Sequence, residues 1–230
     1  ITIATEPLDL AGELEAGGAI TAAWNGPISL TAATAALATD AAADTLSVGG
    51  VISGAQPLAI NGPGNVVLSA TNTYSGLTTV TGTTLTVNGT IGAVDLAGGA
   101  TLEGIGTVGV VTAATGTTIA PGNSPGILNT GNFTPSAGST LDIEVDDVGV
   151  AGTNFDQISV TGTVNITGVN LNLIEMAVGT ATAGSQLIII NNDDTDAVVG
   201  TFAGLADGDE VNADFLGDGV SARISYFGGD

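Results

Sequence analysis

The chain has 230 residues, 36 of them glycine; it is 43% hydrophobic but only 3% aromatic, and its formal net charge is −22. It holds no Cys, no His and one cationic side chain, Arg223, which excludes disulfides, Cys-ligated zinc, Ser-His-Asp and Cys-His nucleophiles and Schiff-base lysines. The charge sets the surface against nucleic-acid phosphates and anionic lipids, and leaves cations, Ca²⁺ above all, as its ionic partners.

The first ten residues, "ITIATEPLDL", alternate Ile1 and Ile3, then Leu8 and Leu10 around Pro7. They predict a strand that is either an assembly arm donated to a neighbouring molecule or a cap on its own first coil. Residues 1–45 form this N-terminal region. Within it, "TAATAALATDAAAD" (31–44) is Ala-rich and reads either as a short helix or as a small-residue strand and turn.

From residue 46 to 138 short alternating runs recur: "TLSV", "PLAI", "NVVLSA", "LTTVTG", "TLTVNG", "AVDLAG", "GVVTAA". Gly, Asn or Pro closes most of them, and their apolar markers settle into steps near eight or nine residues, such as Leu102, Val110 and Ile119. That rhythm fits an antiparallel sandwich or barrel, or a solenoid whose coils stack like side chains into ladders. Short strands, Gly/Asn corners and the scarcity of aromatic anchors favour the solenoid. Asn61-Gly62 and Asn88-Gly89 serve as hairpin turns in the first reading and as left-handed corners in the second. In "IAPGNSPGIL" (119–128) Pro121-Gly122 and Pro125-Gly126 each predict a type II turn, Pro setting φ and Gly supplying a positive φ. Two such turns so close together suit a compact coil corner.

Beyond residue 138 the runs lengthen. "LDIEV" (141–145) alternates strictly, with Leu141, Ile143 and Val145 on one side and Asp142 and Glu144 on the other. Residues 139–230 therefore read as a C-terminal β-rich module that continues or caps the solenoid. No apolar run reaches the roughly 18 residues of a bilayer-spanning helix, so membrane insertion by this chain is not expected.

"GVISGAQPLAINGPGNVVLSATNTYSGLTTVTGTTLTVNGTIG" (50–92) resembles the autotransporter-associated β-strand repeat: a G-x-I-x-G coil, an NGPG coil, an NTYSG-x-T-x-V coil and a G-T-L-x-V-N-G coil, in that order. "GGATLEGIGTVGVVTAATGTTIAPGNSPGIL" (98–128) looks like its continuation, and "STLDIEV", "FDQISVTGTVNITGVNLNLI" and "GTFAGL" are similar to the closing module of such passengers. The resemblance covers about residues 46–230. It implies an all-β chain, a right-handed parallel β-helix (β-solenoid) with a C-terminal β-rich capping module, displayed at a bacterial cell surface or released.

For sites, "NNDDTD" clusters Asp193, Asp194 and Asp196, and "DGDE" adds Asp207, Asp209 and Glu210. Each is either a solvated acidic turn or a structural Ca²⁺ site, and neither has the spacing of an EF-hand loop or a nonapeptide Ca²⁺ repeat. No other cofactor is implied. The T-x-T spacings of "TTVTGTTLTV" either order water on a flat face or simply build strands. Arg223 reads as the partner of a nearby carboxylate. Only a two-carboxylate glycosidase stays chemically open to such a chain, and nothing besides the carboxylates supports it. The residues point to a non-enzymatic extracellular structural protein, a fibre or matrix subunit that binds its own kind non-covalently. An adhesin that binds glycan along its side is the alternative, and a carbohydrate-active enzyme the next.

Overall fold

The computed structural model describes residues 2–3, 5–176, 179–193 and 197–227, and all regular elements among them are β-strands. The chain winds through three faces in rotation. Face one is a nine-stranded sheet built from Thr2–Ile3, Thr21–Trp24, Thr45–Val48, Asn65–Leu68, Thr84–Val87, Thr101–Gly104, Thr118–Pro121, Thr140–Val145 and Asn170–Glu175, in that order, with every pair parallel. Face three is a seven-stranded parallel sheet running from Glu13–Ala16 to Phe133–Pro135. Single bridges from Phe133 to Val164 and from Asn165 to Val199 carry it onward. Face two comprises a three-stranded and a five-stranded sheet, joined by the segment around Thr71 to Tyr74, where Thr71 bridges Thr90 and Thr73 N–H donates to Ile52. This is a parallel β-helix.

The core follows from the register. Leu46, Val66, Leu85, Leu102, Ile119 and Leu141 are direct partners on face one, and all are buried. Strands in a sheet lie about 4.8 Å apart, so like aliphatic side chains stack into a continuous rod. A narrow coil leaves little room for rings, which is the physical reason for the low aromatic content. The tightest turn takes 16 residues, from Thr78 to Val94 on face three, and several take 17, as from Thr86 to Glu103. The turns widen towards the hairpin, to 30 residues from Asp142 to Asn172 on face one, 32 from Ile158 to Ile190 on face two and 34 from Asn165 to Val199 on face three.

The corner between faces one and two is a column of glycines. A Cβ on Gly50 would stand 1.8 Å from the carbonyl oxygen of Gly26, and one on Gly106 would stand 2.2 Å from that of Gly89. The coils approach there with backbone against backbone, Ala70 standing in the same row between Gly50 and Gly89, and a side chain at Gly50, Gly89 or Gly106 would force them apart. On the other flank of face two, "NTYSG" does the work of a strand. Asn72 Oδ1 accepts Ile52 N–H at 2.8 Å, while its Nδ2 donates to Ala70 and Thr90 carbonyls. Tyr74 packs inward, its hydroxyl 2.6 Å from Thr78 Oγ1, and burial pushes its pKa up to about 12.

Several expectations resolve here. The Ala-rich 31–44 segment is strand and turn, with Ala36–Thr39 paired in parallel on both sides. Asn61-Gly62 and Asn88-Gly89 are coil corners, because the strands they follow have parallel partners only. The first coils lie within residues 1–45, so the ladders begin before residue 46. At the double Pro-Gly corner one type II expectation fails. Gly122 has φ 101°, but Pro121 closes a face-one strand, Ser124 takes the left-handed φ of 71°, and the Ser124–Pro125 peptide is cis. Gly126 supplies space, not a positive φ: a Cβ on it would lie 2.5 Å from Gly122 Cα.

The solenoid runs past residue 139, and the cap is its last segment. An antiparallel hairpin, Glu210–Phe215 with Val220–Arg223, closes the C-terminal end, with Phe202, Phe215 and Leu216 buried against the core.

Candidate functional site

Two concave regions stand out. The first is a cleft of about 190 Å³ beside the 121–126 corner, lined by Glu103, Asp142, Glu144 and Asp156 with Asn123 and Ser124. Asp156 organises it. Its Oδ1 accepts Gly126 N–H at 2.7 Å and its Oδ2 accepts Glu144 N–H at 2.9 Å. The residue is 1% exposed. Burial raises its pKa to about 6 against those two hydrogen bonds, with the neighbouring Glu144 charge adding to the rise. A carboxyl so enclosed clasps two coils together and cannot reach a glycosidic oxygen. Asp44 repeats the device near the N-terminus, accepting Ile20 N–H at 2.6 Å and Ala41 N–H at 2.9 Å. Nothing in "FDQISV" or "AAADTL" marks these two carboxylates apart from the other acidic residues; the signal lies in the tight corners they face.

The second is a cavity of about 540 Å³ between the last coil and the C-terminal hairpin. Aliphatic side chains line most of it, including Leu171, Leu173, Ile189 and Val198, and Arg223 stands among the lining residues.

Asp194 and Asp196 lie outside the described residues. Asp193 keeps a polar interaction. Asp207 accepts Tyr226 N–H, Asp209 accepts Ala206 N–H, and Glu210 pairs with Arg223 at 3.3 Å. Among the described residues no three metal-ligating side chains converge. The Arg223–Glu210 pair fulfils the expected carboxylate partner for the lone cation.

Ile1 lies outside the described residues, and Ile3 belongs to the face-one strand paired with Ala23–Trp24. Leu8–Leu10 pairs with Ile28–Leu30 of the same chain, and Leu10 is buried. Leu8–Leu10 is thus a strand of the first coil, stacked on the second. The Thr ladder is also partly committed: Thr86 Oγ1 lies 2.6 Å from Glu103 Oε1 and 3.0 Å from Asn65 Oδ1.

No family model, no curated protein and no solved structure matches the chain. The likeness to the autotransporter-associated repeat rests on the quoted motifs.

Proposed function

We propose that the chain is a non-enzymatic extracellular structural protein, an acidic β-solenoid subunit of a surface fibre or matrix. The observation that carries this reading is the uninterrupted nine-stranded face one. Its outer row is Thr21, Thr45, Asn65, Thr84, Thr101, Thr118, Thr140 and Asn170 in direct register, a regular polar strip. The larger cavity lies at the hairpin end, and Asp156, whose carboxyl pKa is raised, is sealed inside a corner.

Self-association fits the ends unequally. Thr2–Ile3, Leu8–Leu10 and Glu13–Ala16 each terminate a sheet at one end of the solenoid, whereas the other end carries a hairpin. Open strand edges attract further strands, so contacts between molecules belong to such edges or to the lateral strip. Negative-stain microscopy of native material is the test. Filaments or sheets that disappear when residues 1–10 are deleted support end contacts. Discrete single particles at every concentration overturn the fibre reading. The polar strip also favours a second reading, an adhesin that binds glycan hydroxyls along face one; a glycan array with no hits removes it.

A further inference from the structure

The solenoid core is closed at each central turn and open at the last one. Leu102, Ile119 and Leu141 have no accessible surface, while Leu171, the next residue in the same row, is only half-buried, as are Leu173 and Ile189. The hairpin bends over these side chains through Phe215 and Ala222 without filling the space, leaving the cavity of about 540 Å³. That volume and lining are those of a small-molecule site, apolar with a few polar groups at defined places. Water gains little in such a cavity, because it finds few hydrogen-bond partners there.

The polar group that matters is Arg223. Elsewhere the charge of −22 repels any anion, and this is the only cationic side chain on the molecule. Gly208 O and Glu210 Oε2 each take one N–H from its guanidinium. A guanidinium has five N–H donors in a planar fork that matches a carboxylate. An apolar cavity that has the chain's one cation in its lining selects an amphiphile with a single negative head.

We propose that this cavity binds a long-chain aliphatic carboxylate, its hydrocarbon tail against Leu171, Leu173 and Ile189 and its carboxylate at Arg223. Hydrocarbon burial against aliphatic side chains provides the affinity, and the guanidinium fixes the direction of entry.

Calorimetric titration of the full chain with hexadecanoate, and separately with hexadecan-1-ol, tests this below the concentrations at which either aggregates. The expected result is saturable binding of one hexadecanoate per chain, tighter than the alcohol. Arg223→Gln weakens hexadecanoate roughly tenfold and leaves the alcohol unchanged. Ala222→Trp, which fills the cavity, abolishes both. In the unmodified chain a nitroxide near the tail terminus broadens the methyl resonances of Leu171 and Leu173 before those of Leu85 or Leu102, which locates the ligand without any substitution. Absence of saturable binding, equal affinity of the unmodified chain for acid and alcohol, or broadening centred on the middle coils overturns the proposal.

Discussion

Thr130 and Asp156 both bury a polar side chain, and the two cases differ in what meets it. Thr130 sits in an inward row between Val108 and Val160, and its hydroxyl has no hydrogen-bond partner. Thr130→Val replaces that hydroxyl with a methyl of the same shape as its neighbours, and is expected to stabilise the fold by about 1 kcal/mol in a denaturant titration. Asp156 is fully partnered but charged. Its native pKa is raised from 3.8 to about 6, so the folded chain holds the proton more tightly than the unfolded one. The stability gained by protonation is complete below about pH 4 and is lost as pH rises through about 6. The thermal midpoint is therefore expected to climb as pH falls from 7 to 5. Asp156→Asn, neutral throughout, is expected to climb less over the same window; an identical climb would remove Asp156 as the cause.

At the scale of the element, the glycine column sets how closely coils can stack. Gly50→Ala places a methyl within 1.8 Å of a backbone oxygen and is expected to cost roughly 3 kcal/mol or more. Gly92→Ala, at a corner with no atom within 4 Å, is expected to change stability by less than about 0.5 kcal/mol. Paired chemical melts of the two variants check both. These elements differ in how legible they are in the sequence. Face one and face three announce themselves, because four-residue strands such as Thr84–Val87 and Val94–Ala97 alternate long enough to show a period of two. Face two does not: Thr90–Ile91 and Thr107–Val108 are two residues long, too short for any periodicity. The roles of Gly50 and Gly126 are hidden for a different reason. A glycine needed for space and one needed for a positive φ look alike until the neighbouring coil is in place. Asp156 is hidden likewise, since its partner Gly126 N–H is 30 residues away.

For the whole molecule, the sequence favours the solenoid over a sandwich through its corners and its small side chains, and the C-terminal cavity is legible only afterwards. It arises where the widest turn meets the hairpin, and no local pattern records that mismatch. One consequence of composition does reach the whole chain. With Arg223 as the only Lys or Arg, trypsin has one bond to cut, after an exposed side chain in the terminal hairpin. Digestion under native conditions is expected to remove the residues after Arg223 readily, because that side chain is exposed; a chain still intact by mass spectrometry would show that the hairpin shields the bond.

The change from tight central turns to wide turns near the hairpin also gives the molecule a mechanical character. Each coil touches only its neighbours, so the chain is close to one-dimensional in its connectivity. Pulled from the end that carries no hairpin, it can come apart one turn at a time. A central turn of 17 residues releases about 60 Å of extended chain. The turn of 30 residues near the hairpin releases about 100 Å. Such a rod lengthens in graded steps under load instead of failing at once, and its longest reserve of slack lies beside the capped end.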